Sequence, residues 1–227
     1  RDIYRNPNET LLFFGIKLNM SVLEILPGRG WYTEILAPVL KTSGQLTIAS
    51  FGENHPNDYL RDVHLKYMNH LNKDPIIYRN VRHVVFHEEN YYLKGVDSNS
   101  QDMVLTFRNT HNWIKYGGVE NIYQSFHRVL KKGGILGVVQ HRARNDDDVK
   151  ESAKNGYVPE KYLINLAEKI GFELVEKSEI NANPKDNKVH PKGVWTLPPI
   201  LRLGDSDKKK YLEIGESDRM TLRFIKL

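Results

Sequence analysis

His111 and His141 are the two histidines that directly follow apolar, strand-like segments of the sequence. A histidine with a pKa near neutrality can take a proton from an attacking nucleophile. The alternative is a histidine that only makes hydrogen bonds and shapes a cleft. Asn109 lies two residues before His111 and is a candidate to line the same cleft. We predict a catalytic site at these three side chains, with the hydrogen-bonding alternative left open.

Arginines accompany these residues. Arg108 precedes Asn109, Arg142 follows His141, and Arg219 lies near the end of the chain. A guanidinium group presents a planar fork of donors that suits carboxylate and phosphate groups. These arginines are therefore candidates for holding an anionic substrate, and pairing with nearby acidic residues is the equally weighted alternative.

Two tryptophans are candidate substrate contacts. Trp113 and Trp195 either wall a pocket or fill core. Trp195 lies in the irregular, polar segment 181–216. This segment is longer than a loop that only connects two strands, and its length indicates a lid or a substrate-binding segment. Asn181 and Asn183, at the start of that segment, either frame turns or contact substrate.

A glycine-rich turn follows the first apolar run. Glu24 is followed by Gly28 and Gly30, and residues 31–37 then have helical spacing. Glycines let the backbone approach a ligand closely, and the next helix offers free N–H groups. A simple tight turn is the alternative. No Gly-Lys-Ser or Gly-Lys-Thr is present, which argues against a nucleoside-triphosphate loop.

Strands and helices alternate along the chain, which predicts an α/β fold with a mostly parallel sheet and helices on both faces. The last two strands have no predicted helix between them, and one antiparallel closing strand is expected. We expect one domain over residues 1–227. The predicted helices are 10–14, 31–37, 57–72, 119–130 and 160–170, and the predicted strands are 21–26, 45–50, 81–86, 102–107, 135–139, 172–180 and 220–225.

Polar clusters follow several of these strands. Ligands bind outside the carboxyl ends of the strands in an open parallel sheet. An antiparallel last strand would begin at that same edge. The sequence therefore predicts a functional cleft where five clusters converge: 27–30, 107–113, 140–143, 181–186 and 215–219.

Composition excludes several classes of protein. No apolar run approaches the roughly 18 residues that span a bilayer. The absence of cysteine excludes disulfide scaffolds, thiolate zinc sites and cysteine nucleophiles. His83 and His87 are four residues apart, but three convergent ligands are not visible, so no metal site is predicted.

The 227 residues carry a net charge of +5. Basic residues are scattered, whereas a nucleic-acid binder usually gathers them on one face, which argues against a nucleic-acid partner. The chain begins at Arg1, and an upstream targeting segment cannot be judged. The oligomeric state is left open.

Three segments resemble motifs of class I S-adenosylmethionine-dependent methyltransferases. Residues 22–33 (VLEILPGRGWYT) resemble the first motif, 102–105 the fourth-strand motif and 125–136 the helix-to-fifth-strand signature. More narrowly, five segments resemble a group of bacterial predicted methyltransferases, many of which carry signal peptides. These segments are 30–38, 106–113, 179–186, 193–199 and 215–221.

The resemblance implies a Rossmann-like seven-stranded fold that transfers a methyl group from S-adenosylmethionine to a small molecule and releases S-adenosylhomocysteine. It also implies a periplasmic protein if a signal peptide has been removed, and a cytoplasmic one otherwise. The substrate residues expected are Trp113, Arg142, Asn181, Asn183, Trp195 and Arg219. The cofactor residues expected are Glu24, Pro27, Gly28, Gly30, Tyr32, Glu53, Glu89, Asn90 and Arg108.

The sequence departs from the family pattern at two points. Leu26 stands where the first motif usually has glycine. The second strand usually ends in an acid that binds the cofactor ribose, whereas here Glu53 comes slightly late. These departures motivate one alternative, a non-catalytic S-adenosylmethionine-binding protein on the same fold.

Two further alternatives are weaker. A nicotinamide-dependent oxidoreductase is disfavoured, because a complete Gly-x-Gly-x-x-Gly with a following acid is missing. A nucleic-acid methyltransferase is motivated by the basic isoelectric point alone.

Overall fold

The computed structural model describes residues 1–88 and 91–227, and within them a twisted mixed sheet lies between two layers of helices. The strands are β1 (Ser21–Ile25), β2 (Gln45–Ser50), β3 (Arg82–Val85), β4 (His87–Glu88), β5 (Tyr91–Tyr92), β6 (Gln101–Phe107), β7 (Leu130–Ala143), β8 (Val158–Pro159), β9 (Phe172–Ser178) and β10 (Arg219–Lys226). The helices are α1 (Asp2–Arg5), α2 (Pro7–Phe14), α3 (Thr33–Leu40), α4 (Asp58–Leu71), α5 (Pro75–Tyr78), α6 (Thr110–Tyr116), α7 (Val119–Val129), α8 (Val149–Lys154), α9 (Glu160–Ile170) and α10 (Lys208–Ile214), with a 3-10 turn at Gly193–Thr196.

Seven strands form the main sheet in the order β3-β2-β1-β6-β7-β10-β9, and the short β8 pairs with β7. The strands from β3 to β7 are parallel, whereas β10 runs antiparallel to both β7 and β9. The predicted mostly parallel sheet with an antiparallel last strand is therefore confirmed. It places the carboxyl ends of β1, β6 and β7 side by side with the start of β10.

Hydrophobic cores lie on both faces of the sheet. Tyr123 and Phe126 of α7 pack with Leu163 of α9 on one face. Phe14 of α2 and Leu36 of α3 belong to the core of the other face. Strands that are buried on both faces need apolar side chains on both, which explains the short continuous apolar runs of β1 and β6.

Several short helices were not predicted. α6 begins shortly after β6, inside the polar cluster 107–113, and α10 lies between the last two strands. α8 and α5 are shorter still. A helix of one or two turns is too short to produce a clear 3.6-residue periodicity, and tertiary packing supplies most of its stability.

No helix in residues 1–88 and 91–227 is both long and apolar enough to cross a lipid bilayer.

Candidate active site

A cleft of about 590 Å³ opens at the carboxyl ends of β1, β6 and β7. The glycine turn after β1 forms one wall, the β6–α6 junction forms the floor, and residues 194–200 form the opposite wall. Residues 216–219 reach the cleft from the start of β10, and the N-terminal segment adds Arg1 and Arg5. Its volume falls within the roughly 300–1,000 Å³ typical of small-molecule sites.

Glu24, near the end of β1, lines the cleft and is almost fully buried. The Thr33 hydroxyl donates a 2.6 Å hydrogen bond to its carboxylate and lies 2.8 Å from the Tyr67 hydroxyl. Burial raises the pKa of Glu24 to about 7, and the bond from Thr33 opposes that rise. The residue can therefore hold or release a proton near neutral pH.

Leu26 adopts the left-handed backbone conformation, with φ of +46°. Glycine reaches this region without steric cost, whereas a side chain at this position costs free energy. Its backbone N–H donates to the Ala49 carbonyl of β2 at 2.8 Å. The turn thus has the backbone conformation that favours glycine, although leucine occupies the position.

The two glycines of the turn serve different purposes. Gly28 has φ of +63°, and a Cβ placed on it would meet nothing within 4 Å. Gly30 has φ of +85°, and a Cβ there would lie 2.7 Å from Cε2 of Tyr67. Gly30 is therefore required by packing, while Gly28 leaves open space beside the turn.

Tyr32 and Phe107 form a stacked pair, with ring centroids 3.5 Å apart and planes inclined by 9°. Tyr32 follows the glycine turn, and Phe107 ends β6. The pair joins two sides of the cleft and gives its floor an aromatic surface.

The end of β2 carries no acid. Ser50 ends the strand, and its hydroxyl lies 2.7 Å from His83 Nε2 and 3.4 Å from His64 Nδ1. Burial lowers the pKa of both histidines. Glu53 is exposed and does not line the cleft. The place of the expected ribose acid is thus occupied by neutral groups.

His111 and His141 lie together in the cleft, with ring centroids 5.8 Å apart. Burial lowers the pKa of His111 to about 4. Gln140 Nε2 lies 3.3 Å from His111 Nδ1 and donates to the Gly156 carbonyl at 3.1 Å, which orients the amide. The Gln140 amide therefore donates to Nδ1 of His111, which must be the unprotonated nitrogen. This hydrogen-bond network assigns the ring proton of His111 to Nε2.

His141 Nδ1 lies 2.5 Å from the Ser217 hydroxyl. Burial lowers the pKa of His141 well below its usual value, and the positive charge of Arg219 adds to this effect. Both cleft histidines are therefore neutral at pH 7, and a neutral imidazole can accept a proton.

Asn109 ties the ends of two strands together. Its Nδ2 donates to the Ile25 carbonyl of β1 at 3.0 Å and to the Thr106 hydroxyl of β6 at 3.3 Å. Both amide protons are thereby used, so Oδ1 can only accept a hydrogen bond from a ligand.

Arginines surround one carboxylate at the base of the cleft. Arg5 Nε donates to Glu216 Oε2 at 2.9 Å, and Arg219 pairs with the same carboxylate. Arg219 Nη1 also donates to the Tyr4 carbonyl at 2.9 Å. Arg108 faces the same group, and burial lowers its pKa to about 9.

Trp195 forms part of the wall contributed by segment 181–216. Its ring meets that of His111 edge-on, with centroids 5.8 Å apart, and the Arg202 guanidinium lies 5.2 Å from its centroid. The Pro198–Pro199 peptide bond is cis, and both prolines line the cleft.

Some expected substrate residues lie elsewhere. Trp113 packs in the core against Phe86, Tyr123 and Phe126, so the core alternative applies. Arg142 forms ion pairs with the carboxylates of Glu160, Glu179 and Asp218.

Asn181 and Asn183 make structural hydrogen bonds and do not line the cleft. Asn181 Nδ2 donates to the hydroxyls of Thr10 and Thr221, both at 2.9 Å. Asn183 Nδ2 donates to the carbonyls of Ile214 and Glu216. Trp113, Arg142, Asn181 and Asn183, all expected as substrate residues, thus do not line the cleft. Glu89 and Asn90 lie outside the described residues.

The sequence did not indicate Arg5 as a cleft residue. It placed Phe107 and Ser217 in clusters at the rim without giving them a role, and it treated Glu216 only as a possible arginine partner. Arg5 carries no local signal, because its partner Glu216 is 211 residues away in the chain. Glu216 and Ser217 had a usable signal, since both belong to a cluster predicted at the rim.

Within the described ranges, no group of three or more His, Asp or Glu side chains has an arrangement that would hold a metal ion.

Comparison with known structures identifies the fold. A S-adenosylmethionine-dependent methyltransferase from Aquifex aeolicus superposes with a TM-score of 0.65 and 16% identity, covering 100% of this chain and 92% of the other. The [4+2]-cyclase SpnF superposes with a TM-score of 0.66 and 13% identity, and the match covers 98% of this chain and 80% of SpnF. A third match is geranyl diphosphate C-methyltransferase from Streptomyces coelicolor A3(2), in complex with S-adenosyl-L-homocysteine. Its TM-score is 0.63 at 9% identity, and the match covers 98% of this chain and 79% of the other.

The chain therefore has the class I fold of S-adenosylmethionine-dependent methyltransferases. Its sequence matches no protein-family model. No curated protein matches it either.

Proposed function

We propose that the protein is a S-adenosylmethionine-dependent methyltransferase acting on a small molecule. The observation that carries the proposal is the glycine turn after β1, which opens onto a cleft of about 590 Å³ within this fold. We further propose one domain over residues 1–227, in which segment 181–216 supplies the substrate wall.

The residues of the turn fit the cofactor. The space beside Gly28 is open, so a ligand can approach the backbone closely. The buried carboxylate of Glu24 suits a cationic amine that enters the cleft, and such an amine would favour its ionised form. Pro27 and Tyr32 complete this wall, and Gly30 lets the turn pack closely against Tyr67. Ser50 and the neutral His64 stand where the usual ribose acid is expected.

When bound, S-adenosylmethionine supplies an electrophilic methyl group on a sulfonium sulfur. The chain's residues would position the acceptor and manage its proton. Asn109 Oδ1 can accept a hydrogen bond from the acceptor, and His111 can donate one from Nε2. His141 is the proposed proton acceptor, because it is neutral and lies in the same cleft. Trp195 and the two prolines would exclude water from that space.

A second candidate is a protein that binds S-adenosylmethionine without methyl transfer. The Leu26 position and the absence of an acid at the end of β2 favour this alternative. A [4+2]-cyclase is also among the structural neighbours, so this fold also occurs in a protein named for another reaction.

Calorimetric titration of the purified chain with S-adenosylmethionine, S-adenosylhomocysteine and NADH tests the cofactor. We expect both adenosyl ligands to bind with affinities on the order of micromolar, and NADH not to bind. Failure of both adenosyl ligands would contradict the proposal. Binding without turnover against a broad acceptor panel would favour the second candidate.

A further inference from the structure

The base of the cleft holds more positive charge than its protein partners neutralise. Arg5 and Arg219 are 5% and 2% exposed, and both pair with Glu216, which is also 2% exposed. With Arg108 beside them, three guanidinium groups face one carboxylate, which leaves a formal charge of +2. Buried charge is costly unless a partner balances it, so an additional anion is expected there.

Arg108 is the member of this group without a partner. Its side chain makes no hydrogen bond or ion pair to residues 1–88 or 91–227. It leaves β6 at φ of +63°, where a non-glycine residue is strained, and lines the cleft. Strain at a site of this kind persists when the surrounding structure over-determines it, and such strain clusters at ligand sites.

Arg219 offers a second unused donor. Its Nε is buried and has no partner within the described chain, although its two terminal nitrogens are both engaged. Buried donors are normally hydrogen-bonded, so an unpaired one beside a cavity marks a place for a ligand atom.

The other charged residues of the cleft do not neutralise the positive charge at its base. Besides Glu216, the acid among the described lining residues is Glu24, which belongs to the glycine turn and already accepts from Thr33. Arg1 and Arg29 lie exposed on the rim and add positive charge. The cleft therefore attracts anions both at its rim and at its base.

We propose that the methyl acceptor is an anion, and that Arg108, with Nε of Arg219, holds its carboxylate or phosphate group at the base of the cleft. This inference rests on the proposed methyltransferase function. Arg219 lies opposite His141 in the β10–β7 register, so an acceptor anchored there has its reacting part near the histidines. Guanidinium groups bind carboxylates and phosphates through paired, charge-assisted hydrogen bonds, which also fix orientation.

The test titrates the full chain with inorganic phosphate and, separately, with acetate, each with and without saturating S-adenosylhomocysteine. Fluorescence reports binding, because Trp31 and Trp195 both line the cleft. We expect saturable binding that Arg108→Gln weakens by about tenfold or more. Arg79→Gln, which removes an exposed arginine outside the cleft, is the matched control and should change the affinity by less than about twofold.

The Arg108→Gln variant should fold, since the Arg108 side chain makes no hydrogen bond or ion pair to the described chain and its backbone bond to Val139 is kept. Thermal unfolding checks this directly. Arg108→Lys keeps the charge but not the fork, and should bind phosphate with intermediate affinity. Equal anion affinity in the native chain and in a folded Arg108→Gln variant would overturn the inference.

The cofactor's own carboxylate is the competing occupant. If Arg108→Gln weakens S-adenosylhomocysteine about tenfold but leaves 5′-methylthioadenosine unchanged, the arginine holds the cofactor and the inference is wrong. If the native chain binds phosphate but neither adenosyl ligand, the anion site stands and the methyltransferase proposal fails. The two failures are thus distinguishable.

Discussion

The Glu24 carboxylate accepts a 2.6 Å hydrogen bond from the Thr33 hydroxyl, and both side chains are buried between β1 and α3. The pair links the strand to the first turn of the helix across the glycine turn. It keeps an acid in the cleft wall although its ionised form is poorly solvated there.

This burial makes stability depend on pH. The pKa of Glu24 is about 7 in the folded protein, against 4.5 ordinarily. Between these values the folded state binds more protons than the unfolded state, so the Glu24 contribution to the free energy of unfolding falls as pH rises from 4.5 through 7. Glu24→Gln keeps an acceptor for Thr33 and cannot ionise. Denaturant titration should show its stability relative to the native chain rising by about 3 kcal/mol between pH 4.5 and pH 8.

Glu168→Gln is the control for that series. Glu168 is exposed on α9 and should leave the pH dependence nearly unchanged. A difference between Glu24→Gln and the native chain that stays constant with pH would mean that Glu24 ionises normally.

Leu26 is expected to tolerate glycine better than valine. Its left-handed conformation costs about 1–2 kcal/mol for an L-residue, and glycine removes that cost while losing side-chain packing. Leu26→Gly should therefore remain within about 1 kcal/mol of the native chain. Leu26→Val should lose more than about 1 kcal/mol, because β-branching disfavours positive φ.

Leu174→Gly provides the contrast, since Leu174 is also partly buried but lies in strand β9. It should lose about 2 kcal/mol in urea denaturation. If Leu26→Gly is destabilised as much as Leu174→Gly, the strain assigned to Leu26 is absent.

Gly28 should matter for binding rather than for folding. Gly28→Ala adds a methyl group to open cleft space at positive φ, so we expect a stability loss of about 1–2 kcal/mol with S-adenosylhomocysteine affinity reduced about tenfold or more. Gly133→Ala is matched, because Gly133 also has positive φ and an open surrounding but lies outside the cleft. Calorimetry should give native affinity for that variant. Equal affinity in both variants would argue against a cofactor beside Gly28.

The cleft histidines should stay neutral across the physiological range. His111 has a pKa of about 4 and His141 one well below 6.5, mainly through burial. The NMR signals of both rings should therefore not titrate between pH 8 and pH 6, and His111 should titrate near 4. His111→Asn and His141→Asn assign the signals. A midpoint near 6.5 for either ring would show that the site is solvated in solution.

The alternation of apolar runs, glycine turns and helical periodicity was enough to predict the sheet, its antiparallel last strand and the helix at 160–170. These features can be predicted locally, because the spacing of apolar residues within each strand or helix reflects the period of that element. The same patterns predicted the rim, since the parallel topology brings the carboxyl ends of neighbouring strands together. Four of the five predicted clusters contribute residues that line the cleft: 27–29, 107–109 with 111 and 112, 141, and 216, 217 and 219. No residue of the fifth predicted cluster, 181–186, lines it.

Local patterns could not assign partners to side chains. Arg142 and Arg219 look alike in sequence, yet Arg142 is surrounded by carboxylates while Arg219 reaches the cleft with one donor free. Arg5 joins the same cluster across 211 residues. Trp113 lies on a short helix that turns its ring into the core. Burial and pairing depend on distances between segments far apart in the chain, and these distances exist only once the sheet has brought the segments together.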